Sequence, residues 1–394
     1  MKRLVIGTWQ ENHYCAIYDE NRMVGLNLEP KDEPSLLGNI YIGKVKKIVS
    51  NIHAAFLDIG AGMDCYLPME ETKQAVFTKK ASANKLCVGD ELIVQVTKEA
   101  QKKKVPTLTA NLSFSGQYIV LTSENRTVGI SKKITGERRA ELQQWIAGDL
   151  PEQFGVIVRT NAKDASEEEI TAELRRLTNE AQMLIENGMH RTAFSVLKSA
   201  LPSYLDEIKN CYVSEYDEIV TDDVALYEEI RTFLAADYAD ILPKLRLYQD
   251  DLLSMNKLYS LEANMEKALR KHVWLKSGGF LVIEPTEALT VIDVNSGKNI
   301  SGKNKKESIV RLNKEAAEEI ARQIRLRNLS GIIIIDFVDM EDEADKEELA
   351  ALMQSLLNRD PVTANVVDLT ALGLMELTRK KIRKPLHEQI KKYS

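Results

Sequence analysis

Cysteine is scarce in this chain: four residues in 394, at positions 15, 65, 87 and 211, with no Cys-x-x-Cys pair. That excludes a disulfide framework, a zinc ribbon and a dithiol redox motif, and it fits a reducing, cytoplasmic setting. Long apolar runs are missing as well. The longest lies around Ile332 to Ile335, far short of the roughly 18 residues of a membrane span. Behind Lys2 and Arg3 only Leu4 to Gly7 precede polar residues, so the apolar core of a secretion signal is not expected. Positive charge is not in excess either. The 53 Lys and Arg face 59 Asp and Glu, a net −6, which argues against a protein that merely coats nucleic acid.

What is present is length enough for two to four domains and a charge distribution that is uneven along the chain. Residues 39–112 hold 11 basic and 7 acidic residues, a local +4, leaving −10 for the rest. The last 17 residues, from Thr378, hold seven basic residues and one Glu. Between Gly38 and Ser113, short strand signals follow closely (Tyr41 to Val45, Ala54 to Ile59, Cys65 to Leu67, Leu92 to Thr97), a density that predicts a small barrel or sandwich.

One hairpin in this segment can be read face by face. With Gly60-Ala61-Gly62 as its turn, opposed residue numbers sum to 122. Ala55, Leu57, Ile59, Met63, Cys65 and Leu67 then form the core face, and Phe56, Asp58, Asp64 and Tyr66 the outer one. Exposed aromatic rings beside lysines suit single-stranded nucleic acid, because bases stack on rings while phosphates meet cations. Lys98, Lys102, Lys103 and Lys104 lie on or just after the Leu92 to Thr97 strand. The competing reading is an interdomain contact flanked by ordinary solvated lysines.

Residues 113–202 mix strands with a long helix, announced by a Ser166-x-x-Glu169 capping box and an apolar stripe of Ile170, Leu174, Leu177, Ala181 and Leu184. The strand Val156 to Val158 delivers Arg159, Thr160 and Asn161 at its end. A guanidinium beside a hydroxyl can bind a terminal phosphate, or Arg159 can be structural. Helical patterns dominate from Ser203 to Arg270.

The densest chemistry runs from Ala288 to Met340. A strand, Leu289 to Asn295, leads through a Gly/Lys loop to a helix from about Glu307 to Arg327 and a second strand, Ile332 to Asp339. A right-handed crossover and a parallel pair follow. Asp293 and Asp336 then share the carboxyl end of one sheet, where open α/β sheets bind ligands. Paired carboxylates there repel unless a cation lies between them. Oxygen ligands without nearby His or Cys select a hard ion, Mg²⁺ or Mn²⁺. Asn295 shares a strand face with Asp293. The alternative is two Asp residues capping turns.

The loop offers Lys298, Lys303, Lys305 and Lys306. Arg311, Lys314, Glu318, Arg322 and Arg325 form one helix stripe opposite Ile309, Leu312, Ala316, Ile320 and Ile324, either an outward basic face or a solvated face laced by i,i+4 pairs. Gly297 to Asn304 also reads as Gly-x4-Gly-Lys, the phosphate loop of a nucleotide-triphosphatase, but Asn304 replaces the Ser or Thr and the helix is expected to begin too late.

Several of these motifs resemble the catalytic core of the ribonuclease E/G family: Asp-Val-Asn-Ser-Gly at 293–297, the helix from Asn313 to Arg327, and Gly-Ile-Ile-Ile-Ile-Asp-Phe-Val-Asp-Met at 331–340. So do Gly38 to Tyr41, Ala54 to Gly60, Ile157 to Thr160 and Ser277 to Gly279. The resemblance runs collinearly over nearly the whole chain. It implies a multi-domain α/β architecture: an RNase H-like subdomain split between 1–37 and 203–269, an inserted S1-type OB barrel at 38–113, a sensor for the RNA 5′-monophosphate at 114–202, and a DNase I-like catalytic subdomain at 270–394. By position, Asp293 and Asp336 match the metal ligands, with Asn295 supporting Asp293. Phe56, Tyr66 and Lys104 match RNA-contacting positions, and Arg159, Thr160, Lys132, Gly116 and Val120 the 5′-phosphate pocket.

The resemblance therefore implies a Mg²⁺-dependent endoribonuclease cutting single-stranded RNA, rRNA precursors and mRNA, into 5′-phosphate and 3′-hydroxyl ends. A non-catalytic RNA-binding or ribosome-assembly factor is the alternative, with a nucleotide-triphosphatase behind it. Lys132 stands where the family often has Arg, which loses the bidentate fork, and Thr363 stands where well-known members use Arg at the 5′ end. The Cys-Pro-x-Cys zinc link of many members is not in this sequence, so zinc-linked subunits are not expected, while other homo-oligomer contacts stay open.

Overall fold

The computed structural model describes the chain except residues 33–34, 61, 84, 101–103, 124–126, 132, 211–215, 298–304, 371 and 392–394. Two compact units emerge: Met1–Pro34 together with Ser203–Ser394, and Ser35–Pro202 between them.

In the inserted unit, strands Ile40–Val49, Ala54–Asp58, Asp64–Pro68, Thr107–Thr109 and Glu91–Lys98 close into an OB-like barrel, because the first strand pairs with both the second and the last. Its alternating residues supply the core: Val45, Leu57, Leu67, Leu92, Val94 and Leu108 are buried together. The hairpin has the expected register, with Phe56 opposite Tyr66, Leu57 opposite Cys65 and Asp58 opposite Asp64. Met63 departs from it. It is 39% exposed and its N–H donates to Gly60 O in the turn. The ladder stops at the Asp58/Asp64 pair, and alternation has no force beyond it.

The rest of this unit is a four-stranded sheet, ordered Ser113–Ser115, Ile119–Thr122, Gly155–Val158, Val128–Ile130, covered by helices Glu137–Asp149 and Glu167–Met189. Both bonds of the Ser166/Glu169 capping box form, and Ile170, Leu174, Leu177, Ala181 and Leu184 are all buried. Burying each larger side chain contributes about 1.5–3 kcal/mol, which holds this helix on the sheet.

The other unit has two sheets. One is five-stranded, ordered Leu245–Leu247, Glu218–Thr221, Lys2–Trp9, Asn12–Asp19, Arg22–Pro30, with parallel pairing among the first three and antiparallel pairing among the last three. The second is six-stranded: His272–Trp274, Phe280–Pro285, Leu289–Asn295, Gly331–Asp336, Leu374–Arg379, Ala364–Leu369. Leu289–Asn295 and Gly331–Asp336 are parallel and joined by the helix Lys305–Leu326, as a strand-helix-strand unit requires. One face of this sheet packs Ile292, Val294, Ile333, Ile335 and Met375 against Leu312, Ala316, Ile320 and Ile324 of that helix and Leu349, Met353 and Leu357 of helix Glu343–Leu357. The opposite face stays open, with Ile332 half exposed.

The crossover helix revises one expectation. It is described from Lys305, and most of the Gly297 to Asn304 stretch read as a phosphate loop lies outside the described residues. Its basic stripe is largely engaged, and not by i,i+4 pairs. Lys314 pairs with Glu348 at 2.7 Å, and Lys306 pairs with Asp342. Arg322 grips Glu319 and donates to Met23 O at 2.6 Å, while Arg22 reaches the same Glu319 at 2.8 Å. These cations tie the helix to neighbouring elements. The basic tail is partly structural too: Arg379 is buried against Asp360 at 2.8 Å, and Arg383 meets Asp206 at 3.0 Å. Among the described residues no helix is long and apolar enough to cross a membrane.

Candidate active site

Asp293 and Asp336 are direct partners across the parallel strands. Their neighbours Ile292, Val294 and Ile335 point into the core, so strand alternation turns both carboxylates onto the open face. Asn295, two residues on, shares that face, and its Nδ2 donates to Asp293 Oδ2 at 2.7 Å. Asp336 reaches solvent, yet partial desolvation raises its carboxyl above the ordinary range, and the negative charges of Asp293 and Asp339 push it the same way. Negative charge accumulated on oxygen donors is what a hard divalent cation neutralises. Among the described residues no group of three His, Cys, Asp or Glu converges to form a closed cage. The pair thus fits two ligands of such an ion, whose remaining positions go to water and phosphate oxygens, a habit of Mg²⁺.

Three supports of this centre were not read from the sequence as such. Asn313 is fully buried on the crossover helix, its Nδ2 donating to Val338 O at 2.7 Å and its Oδ1 accepting from Val338 N–H at 3.2 Å. It latches the segment that carries Asp339. The only signal was a polar residue flanking the apolar stripe. Glu315 accepts the N–H groups of Lys276 and Ser277 at 2.6 and 3.3 Å. This fixes the Ser-Gly-Gly turn, where a Cβ at Gly279 would meet Asn295 O at 2.7 Å. Gly297, at φ +64°, has Gly278 O only 2.6 Å from where its Cβ would stand. The glycines let two loops meet beside Asn295. Lys298 and Lys303 lie outside the described residues.

On the barrel, Phe56 and Tyr66 stand edge to face on the outer surface, ring centroids 6.1 Å apart. The row extends on both sides: Lys47, exposed, is opposite Phe56, and Thr107 is opposite Tyr66. Lys47 was missed because the strand bulges between Val45 and Lys47, which shifts the alternation. Lys104 is exposed, three residues before Thr107. Lys46 is taken up by Asp64 at 2.6 Å and Asp58 at 3.9 Å. Lys102 and Lys103 lie outside the described residues. Burial pushes the Cys65 thiol up to about 12, which makes it a core residue and no nucleophile.

In the four-stranded sheet, Arg159 Nη1 donates to Gly116 O at 2.8 Å and its backbone N–H donates to Tyr118 O, while the Thr160 and Ser131 hydroxyls are 2.9 Å apart. Val120 is half-buried opposite Ile157. Gly116 is glycine for a steric reason, since a Cβ would overlap the Glu173 carboxylate. That carboxylate accepts the N–H groups of Gln117, Tyr118 and Ile119 at 2.6, 2.8 and 3.0 Å. Lys132 lies outside the described residues. Thr363 is exposed, in the other unit.

An OB-like barrel with an aromatic and basic outer row, in one chain with an α/β sheet ending in paired carboxylates, defines a multi-unit α/β protein. The sequence profile of the Ribonuclease E/G family matches residues 113–382, and the chain belongs to this family. It is 32% identical over 398 residues to Ribonuclease E of Haemophilus influenzae, an alignment covering 98% of this chain and 42% of that protein. Identity to Ribonuclease E of Synechocystis sp. is 35% over 393 residues, with 98% and 58% covered. Identity to Ribonuclease G of Haemophilus influenzae is 31% over 384 residues, with 94% and 78% covered. The chain thus spans about half the length of the first two relatives.

Proposed function

We propose that this protein is an endoribonuclease that hydrolyses single-stranded RNA at the Asp293/Asp336 centre. The observation that carries the reading is the register itself, which sets two carboxylates side by side on an open sheet face. Asp293 and Asp336 would hold Mg²⁺, or Mn²⁺ in its place, which would supply charge stabilisation and an activated water for in-line hydrolysis of the phosphodiester to 5′-phosphate and 3′-hydroxyl ends. Asn295 orients Asp293, and Asn313 holds the segment after Asp336 in place. On the barrel, Phe56 and Tyr66 stack bases, with Lys104 and Lys47 meeting phosphates. Arg159 and Thr160, with Lys132, Gly116 and Val120, form the pocket for a 5′-monophosphate.

The reading includes the division into a split RNase H-like part at 1–37 and 203–269, an S1-type barrel at 38–113, a 5′-sensor at 114–202 and a DNase I-like part at 270–394. It also includes a cytoplasmic role in processing rRNA precursors and mRNA; the names of the relatives support the ribonuclease activity itself. The test is a single-stranded oligonucleotide with a 5′-monophosphate or a 5′-hydroxyl, incubated with the protein in Mg²⁺ and in EDTA. Cleavage in Mg²⁺ only, faster with the monophosphate and lost in Asp293→Asn and Asp336→Asn, is expected. Full cleavage by both variants would falsify the assignment.

A further inference from the structure

The open face of the six-stranded sheet holds more than carboxylates. In the row beside Asp293 and Asp336, Asn295 is opposite Phe280, and Phe280 is opposite Trp274. Register partners point to the same side of a sheet, so Trp274, Phe280 and Asn295 stand in line across three strands. Phe280 packs on Trp274 with centroids 5.1 Å apart and on His272 at 5.8 Å. Val273, between the two outer aromatics, turns the other way, against the helices. Trp274 is 72% exposed. The indole packs beside the Phe280 ring of the neighbouring strand, tilted at 52°, and leaves the rest of its surface to solvent.

Its position names the occupant. Strands lie about 4.8 Å apart, so the indole stands roughly 10 Å from Asn295, within one or two nucleotides of a phosphate held at Asp293 and Asp336. Trp274 also borders a groove of about 950 Å³ whose walls carry Lys267 beside the ion-paired Arg22 (with Glu319), Arg270 (with Glu266) and Lys271 (with Glu284). Aromatic faces beside cations take up single-stranded nucleic acid, and larger bases stack more strongly.

We infer that Trp274, backed by Phe280 and His272, is a base-stacking subsite that seats one nucleotide next to the scissile bond and favours a purine there. The inference rests on the hydrolytic reading of Asp293 and Asp336, and it makes Trp274 a specificity-determining residue.

The test uses the full chain and a set of 5′-monophosphorylated oligonucleotides with one cleavage site, carrying a purine, a pyrimidine or an abasic residue at each flanking position in turn. The wild type is expected to lose about tenfold in kcat/KM when the base is removed at one position. Trp274→Ala should show the same loss with every substrate and no longer distinguish the three, while Trp274→Phe recovers much of the discrimination. Unchanged KM and unchanged base preference in Trp274→Ala overturn the subsite. Should the wild type cleave nothing, the hydrolytic reading fails. The subsite is then decided by anisotropy of the intact oligonucleotide in EDTA: weaker binding by Trp274→Ala upholds it, equal binding overturns it. Light scattering covers the remaining case. A dimer lost in Trp274→Ala with RNA selectivity intact identifies the indole as a self-association contact and overturns the inference.

Discussion

Two sets of carboxylates lie near strand ends in this protein, and their surroundings are opposite. Glu173 is buried under the turn at 117–119 and accepts three backbone N–H groups. Asp293 and Asp336 face each other across a strand pair, with one amide donor, Asn295, on Asp293 and a third acid, Asp339, pressing on Asp336. A buried carboxylate is stable when its oxygens are served by donors. Where the fold serves them fully, the acid holds structure; where it leaves them facing another acid, the repulsion is left uncompensated by the fold. Donor supply therefore separates the scaffold acids from the candidate catalytic ones.

The largest effect that tests this contrast is Asp336→Asn. RNA cleavage should fall on the order of 10³-fold, while the melting temperature stays level or rises, because repulsion from Asp293 and Asp339 is relieved. Oligonucleotide cleavage and a thermal melt on the same preparation measure both. Activity and stability falling together would make the pair a structural feature and erase the contrast.

Glu173→Ala should do the reverse. Three N–H groups lose their acceptor at a cost of roughly 1 kcal/mol or more each, so a loss of about 3 kcal/mol or more is expected in urea unfolding. Gly116→Ala, which drives a methyl group into the same carboxylate, should cost about 1–3 kcal/mol. A Glu173→Ala protein as stable as the wild type would show that the turn does not need its acid.

The candidate catalytic acids were legible in the sequence and the structural one was not. Asp293 and Asp336 announce themselves because each follows a largely apolar strand, and one helix between two strands leaves a single topology. The barrel hairpin was legible for a similar reason: one glycine turn sets the pairing, so the Phe56/Tyr66 row follows by counting. Glu173 sits beside Leu174 in the helix and reads as an ordinary flank, since the N–H groups that need it are 54 to 56 residues away. Arg322 shows the same limit, reading as outward and basic until the Met23 carbonyl, 299 residues distant, claims it. Local pattern tells which face a residue takes; the identity of a distant partner decides whether a charge there is spent on the scaffold or left for a ligand.

The barrel row sharpens the contrast at a smaller scale. Phe56→Ala and Tyr66→Ala should each weaken binding of single-stranded RNA by about 1–3 kcal/mol with little change in melting, because both rings lie on the outer face. Leu57→Ala, between them in sequence and fully buried, should instead cost about 2–5 kcal/mol of stability. Titration of a labelled oligonucleotide and thermal melts separate the two outcomes. Equal loss of stability in all three would place the rings in the core.

The smallest expected effect belongs to another well-served acid, Glu169, at the start of the helix that also carries Glu173. The Ser166 N–H holds its carboxyl below the ordinary range; burial opposes this, and the Ser166 and Tyr118 hydroxyls reinforce it. A carboxyl lowered by folding adds stability that is fully present above its unfolded value and is lost as pH falls through its folded value. Melting curves between pH 7 and about pH 3 should therefore drop more steeply for the wild type than for Glu169→Gln, which has no charge to lose. Ser166→Ala removes the hydroxyl that caps Glu169 N–H and should cost about 1 kcal/mol at neutral pH. Asp336 has the opposite sign, its carboxyl raised by folding, so its repulsion destabilises at neutral pH and fades on acidification. Parallel acid profiles for Glu169→Gln and Asp336→Asn would contradict the division between served and unserved acids; divergent ones would support it.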